Sequence, residues 1–117
     1  MRKIAVVLRR APYGDINAAE AVRHAMGGMS VEFSVDLVLV DGGVLLAKKN
    51  QEITDSGFTN LGEALKDCLD MGIAVCADKS SLRENHLEAS DLVAGVKLAN
   101  AAEIAEIVQE AKTTMIF

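Results

Sequence analysis

Cys76 closes a short apolar run, Ile73-Ala74-Val75, and the chain turns polar directly after it, in Asp78-Lys79-Ser80-Ser81-Leu82-Arg83-Glu84. A packing cysteine belongs inside its apolar run; a thiol at the end of one stands where chemistry is expected. Ser81-Leu82-Arg83-Glu84 has capping-box spacing, and Asp78 or Ser81 suits an N-cap, so a helix should begin just beyond the cysteine. The positive end of a helix, with Lys79 or Arg83 close by, favours thiolate over thiol, whereas the Asp78 carboxylate opposes it. A cysteine of pKa ~8.5 is roughly 3% thiolate at pH 7, and one lowered to about 7 is half thiolate. Nucleophilic sulfur chemistry is what such a residue offers. A buried strand-end thiol with no chemistry is the plain alternative.

The other reactive types are less promising. Cys68 falls between Leu65 and Leu69 on an apolar stripe and reads as core. Seven residues separate it from Cys76, a spacing that matches no zinc motif, and His24 and His86 are distant, so no metal site is expected. His24 is expected to be exposed and His86 to lie in a turn. Neither has a serine or cysteine partner in sequence, and no carboxylate pair suggests acid–base work. Arg9-Arg10 and Tyr13-Gly14 form a weak anion-site signal, because the Gly14 turn precedes a helix start. There is no GxGxxG and no GK[ST], so neither nucleotide binding nor any other cofactor is expected. Asp41-Gly42-Gly43 is most economically a turn.

The elements that would position these residues follow from periodicity. Lys3–Arg9 is a β-branched run suited to a strand buried on both faces. Arg10–Asp15, with the only proline, is a loop. A helix follows, capped by Asp15 or Asn17, with Ile16, Ala19, Val22, Met26 and Met29 as its stripe, and Gly27-Gly28 should end it. Val31–Val40 gives a long central strand stopped at Asp41, and Val44–Lys49 a short helix. Residues 49–58 are a polar loop. Asn60 caps a helix whose stripe is Leu61, Ala64, Leu65, Cys68 and Leu69. Ile73–Cys76 is the third strand, Ser81–Asn85 a short helical segment, and Asp91–Leu98 a turn at Gly95 with a short fourth strand. Asn100 caps the last helix, with stripe Ala101, Ile104, Ala105, Val108 and Ala111, and 113–117 is a fifth strand.

Alternation of strands with helices predicts an α/β fold: residues 1–117 as one domain, a three-layer sandwich with a five-stranded, mainly parallel sheet flanked by helices. Ligands in such sheets bind outside the carboxyl ends of the strands. Arg9–Gly14, Asp41–Gly43 and Cys76–Asp78 should therefore emerge at one edge. The candidate site is Cys76 as the reactive residue, with Arg9, Arg10, Tyr13, Gly14, Asp41, Gly42, Asp78, Ser81 and Arg83 as binding residues.

Composition narrows the class further. Hydrophobic residues are 50% of the chain and aromatics 3%, so the core must be aliphatic. No apolar run approaches roughly 18 residues, so no membrane span is expected. The N-terminal MRKIAVVLRR reads as a strand rather than a signal peptide, which predicts a cytoplasmic protein with reduced thiols. A net charge of −5 with mixed signs and a single tyrosine argue against direct nucleic-acid binding.

Taken together, KIAVVLRRAPYG, LVLVDGGV, GIAVCADKSSLRENHL and the tail AGVKLANAAEIAEIVQEAKTTMIF resemble the DsrE/DsrF family, which includes the TusD and TusC subunits of the sulfur relay. The likeness spans the chain and is closer to the DsrF/TusC branch. It implies a small α/β fold assembling as a homo- or hetero-oligomer, a trimer or hexamer above all. It also implies a strand-end cysteine that takes a persulfide sulfur from a donor protein and passes it to an acceptor. Only Cys76 falls at that position, which would make it a sulfurtransferase-like carrier. Two other readings stay open: a non-catalytic assembly subunit, and a small-ligand or redox-sensing module. Neither the donor, the acceptor nor the pathway, tRNA thiolation or sulfur oxidation, is legible.

Overall fold

The computed structural model describes residues 2–12, 16–49 and 61–117. Five strands, β1 (Lys3–Leu8), β2 (Ser34–Leu39), β3 (Ala74–Asp78), β4 (Lys97–Ala99) and β5 (Thr113–Ile116), form one sheet in the order β4-β3-β2-β1-β5. Every neighbouring pair is parallel. The helices are α1 (Asn17–Ser30), α2 (Leu61–Asp70), α3 (Lys79–Glu84) and α4 (Ala101–Glu110). Two 3-10 segments, Asp41–Ala47 and Ala89–Asp91, complete the described elements.

Strand alternation divides the core in two. Val6, Leu8, Val35, Leu37, Leu39, Val75 and Ala77 point to the side carrying α1 and α2 and form the main core with Val22, Leu65 and the fully buried Cys68. Val7, Val38, Cys76 and Ala99 point to the other side, where Ile104, Ile107 and Val108 of α4 cover them. The sheet is thus the middle of three layers, and the second face rests on one helix. No residue of α4 is fully buried.

That helix starts where the sequence placed its start. The Asn100 side chain accepts from the Glu103 N–H at 2.9 Å, and the Glu103 carboxylate accepts from the Asn100 N–H at 3.1 Å. Asn100→Ala should destabilise the protein by about 1 kcal/mol, the usual worth of an N-cap, measured by denaturant unfolding.

Several boundaries differ from the sequence reading. β3 runs past Cys76 to Asp78, because Ala77 and Asp78 pair with Leu98 and Ala99 of β4. Cys76 is therefore mid-strand. Asn17 is the first residue of α1 rather than its cap; Ile16 occupies the N-cap without a side-chain bond and is 70% exposed. Gly27 and Gly28 do not stop α1, which continues to Ser30. Gly28 lets the helix sit close on the sheet, since a Cβ there would stand 2.9 Å from Val35 Cγ2. β2 begins only at Ser34, after a turn in which Glu32 has φ 68°. The 3-10 segment takes in the whole Asp41-Gly42-Gly43 turn and ends at Ala47. Asp78, not Ser81, caps α3, which begins at Lys79. The loop at 49–58 and the Asn60 cap fall largely outside the described residues, as do Tyr13, Gly14 and Asp15.

Candidate functional site

Cys76 belongs to a row that crosses the sheet. It is in register with Lys97 on β4 and Val38 on β2; Val38 is in register with Val7, and Val7 with Ile116 on β5. The thiol lies under α4 and is only 7% exposed. Its pKa is pushed from 9.0 up to about 11, first by burial and then by the carboxylates of Asp36, Glu103 and Asp78. Asp36, on the same face two residues before Val38, is itself raised by burial, with Lys3 and Lys97 acting the other way. The expected thiolate-stabilising helix end is outweighed. α3 is six residues long, and Lys79 and Arg83 are exposed on it. At a pKa of about 11, the thiolate fraction at pH 7 is on the order of one in ten thousand. Both cysteines are free and buried, and Cys68, raised likewise to about 11 by burial first, remains a core residue.

The segments leaving β1 and β2 build something separate. Arg9, Arg10, Asn17, Asp41, Ile116 and Phe117 line an open cleft of about 350 Å³ at the carboxyl end of the sheet. Arg9 Nε faces the Asp41 carboxylate at 3.6 Å. Asp41 has φ 50°, outside the usual range for a side-chain-bearing residue, and it is held there from both sides. Its N–H donates to Ser81 Oγ at 2.8 Å, and its carbonyl accepts from Asn85 Nδ2 at 3.2 Å. Ser81 Oγ donates to Asp78 Oδ2 at 2.6 Å, and Asn85 Nδ2 also bonds the Ser81 carbonyl at 2.8 Å. Phe117 packs on His24 with ring centroids 5.1 Å apart, so that histidine is half-buried rather than exposed.

The residues named from sequence thus fall into two groups. Arg9, Arg10 and Asp41 meet at the cleft, with Gly42 beside Ala11; Asp78 and Ser81 are joined to Asp41 through hydrogen bonds. Cys76 is not among the cleft's lining, and Ile116, its row-mate there, stands three strand spacings away, roughly 14 Å. Sequence reasoning missed Ile116, Phe117 and Asn17 in the cleft, Asn85 behind it, and Asp36 and Glu103 around the thiol. A single acid inside SVDLVL was the available signal for Asp36. Among the described residues, no group of three or more His, Cys, Asp or Glu side chains could hold a metal.

A five-stranded all-parallel sheet between helical layers, with a buried cysteine on its third strand and a cleft at its carboxyl edge, makes this a small single-domain α/β protein. The sequence model of the DsrE/DsrF-like family matches residues 2–117, and the chain belongs to that family. An uncharacterised protein of Methanocaldococcus jannaschii is 30% identical over 115 residues, covering 98% of this chain and 99% of that one. The intracellular sulfur oxidation protein DsrF of Allochromatium vinosum is 28% identical over 94 residues, covering 80% and 69% respectively. The crystal structure of the ychN protein from E. coli superposes with a TM-score of 0.92 over all of both chains at 22% identity, a likeness of fold. No described helix is long and apolar enough to cross a membrane.

Proposed function

We propose that this chain serves a sulfur relay as an assembly subunit, with Cys76 a packing residue while the chain stands alone. Family membership and the similarity to DsrF support the relay. The observation that carries the subunit reading is the thiol itself: nearly enclosed, and raised to about 11 by burial and three carboxylates. A persulfide carrier needs a thiolate within reach of its partner. The natural partners are other subunits of a homo- or hetero-oligomer.

A second reading, in which Cys76 carries the sulfur once assembled, is favoured by how thinly its face is covered. Ala74, two residues before it, and its register partner Lys97 are exposed. In that reading the Cys76 thiolate attacks the outer sulfur of a donor persulfide; the donor sulfur–sulfur bond breaks, the donor leaves as thiolate, and Cys76 holds the new sulfur–sulfur bond.

Intact mass after incubation with a cysteine desulfurase and cysteine, taken for the isolated chain and for the chain in its assembled oligomer, separates the two. The chain should stay unmodified in both forms while a competent relay protein in the same tube is loaded. Gain of one sulfur, reversed by reductant, absent in Cys76→Ser and retained in Cys68→Ser, would overturn the subunit reading in favour of the carrier.

A further inference from the structure

We propose that α4 is a strap over Cys76: it leaves the sheet as a unit while the sheet and the main core stay folded, and this opening is the thiol's route to solvent. The two faces of the sheet are unequally held. One carries the main core, with Val22 of α1 and Leu65 and Cys68 of α2 buried on it. The cluster on the other is Val7, Val38, Cys76 and Ala99, covered by Ile104, Ile107 and Val108, each only half-buried. Hydrophobic stabilisation follows the apolar area removed from water, so α4 is held less firmly than α1 or α2.

Polar ties add little to that hold. The Lys3–Glu110 bridge at 3.2 Å is exposed at both side chains, and such pairs contribute little. The Asn100–Glu103 capping box lies within the helix and its cap, so it holds α4 together without fastening it to the sheet. A helix this short is not stable alone in water, so α4 melts as it leaves. The connection permits it. α4 joins β4 to β5, the two edges of the sheet, four strand spacings or roughly 19 Å apart. Residues 100–112 reach roughly 40 Å when extended, so the strap can lift with β4 still paired to β3 and β5 to β1. Opening uncovers the thiol and carries off the Glu103 carboxylate, one of the charges that keep it protonated. The inference concerns access alone, and it stands or falls apart from any sulfur transfer by Cys76.

The test is amide hydrogen exchange of the full chain in rising urea below its unfolding midpoint, read beside alkylation of Cys76 located by peptide mass. The amides of residues 104–111 should be at least about tenfold less protected than those of β1 and β2. Their urea dependence should be shallower, because lifting α4 exposes less surface than unfolding the chain. Cys76 alkylation should share that shallow dependence. Asn100→Ala should speed both the α4 amides and Cys76 about fivefold, the factor an N-cap is worth. Ile73→Val, a small loss in the main core, should speed exchange in β1 and β2 severalfold and leave Cys76 unchanged. Equal protection and equal urea dependence of α4 and the sheet would overturn the strap, since α4 would then unfold only with the whole chain. Cys76 labelling that accelerates in Ile73→Val, or that ignores Asn100→Ala while the α4 amides respond, would overturn it as the route to the thiol.

Discussion

Gly43→Ala should cost at least about 3 kcal/mol of stability, the size expected when new atoms are forced into fixed backbone. Gly43 lies buried in the 3-10 segment, pressed against the end of β1. A Cβ there would overlap the Leu8 carbonyl oxygen and stand 2.8 Å from the Leu8 carbonyl carbon. The neighbour cannot turn aside as a side chain would. The Leu8 carbonyl accepts the Val40 N–H at 3.0 Å, the bond that carries β2 into the segment, and Gly43 N–H bonds the Val40 carbonyl at 2.8 Å. Relieving the clash means opening the β1–β2 end, where Arg9 and Asp41 meet. Thermal unfolding should show a midpoint lowered by roughly ten degrees or more, given about 4 °C per kcal/mol or above in a domain of this size. Gly27→Ala is the control: nothing lies within 4 Å of a Cβ there, in mid-helix, so it should stabilise slightly. Equal behaviour of the two variants would mean that Gly43 is not packed as described.

Local signals were legible and long-range ones were not. The apolar run of β1, the stripe of α2 with Cys68 in it, and the Asn100–Glu103 cap each depend on residues a few positions apart, and the structure has all three. The alternation of strands and helices likewise gave the parallel sheet, and the carboxyl-edge rule brought Arg9, Arg10 and Asp41 to one cleft. What escaped is set by strand order. Nothing near Thr113–Ile116 says that β5 lies beside β1, so Ile116 and Phe117 could not be assigned to the cleft. Nothing near Cys76 says that β4 extends the pairing to Asp78, so a mid-strand thiol read as a strand end. The electrostatics failed for the same reason. The sequence neighbours of Cys76 include cations, but the charges that act on the thiol come from β2 and α4 as well as from Asp78. Asp41 shows a subtler limit. Its turn was legible, but its left-handed backbone is imposed by Ser81 and Asn85, about forty positions away.

Alkylation of Cys76 in a Cys68→Ala background should be at least a hundredfold slower at pH 7 in the folded chain than in the denatured one. The thiolate fraction alone supplies about that factor, since a pKa raised from 9.0 to about 11 removes two powers of ten of thiolate. Enclosure under α4 slows it further. The rate should climb about tenfold per pH unit through pH 9 and flatten only towards pH 11. Asp36→Asn should move the whole profile to lower pH, because it removes the largest of the three carboxylate contributions. Stability carries the matching sign. The folded thiol holds its proton more tightly than the unfolded one, so its contribution is intact below pH 9 and is lost as pH rises towards 11. Urea midpoints should fall across that window, and less so once cysteine is removed. A native thiol that alkylates at pH 7 as fast as the denatured chain, on a profile already flat at pH 8, would mean a solvated thiolate. The burial argument would then be wrong, and with it the assembly-subunit reading; the sulfur-carrying role would pass to Cys76 in the chain as it stands.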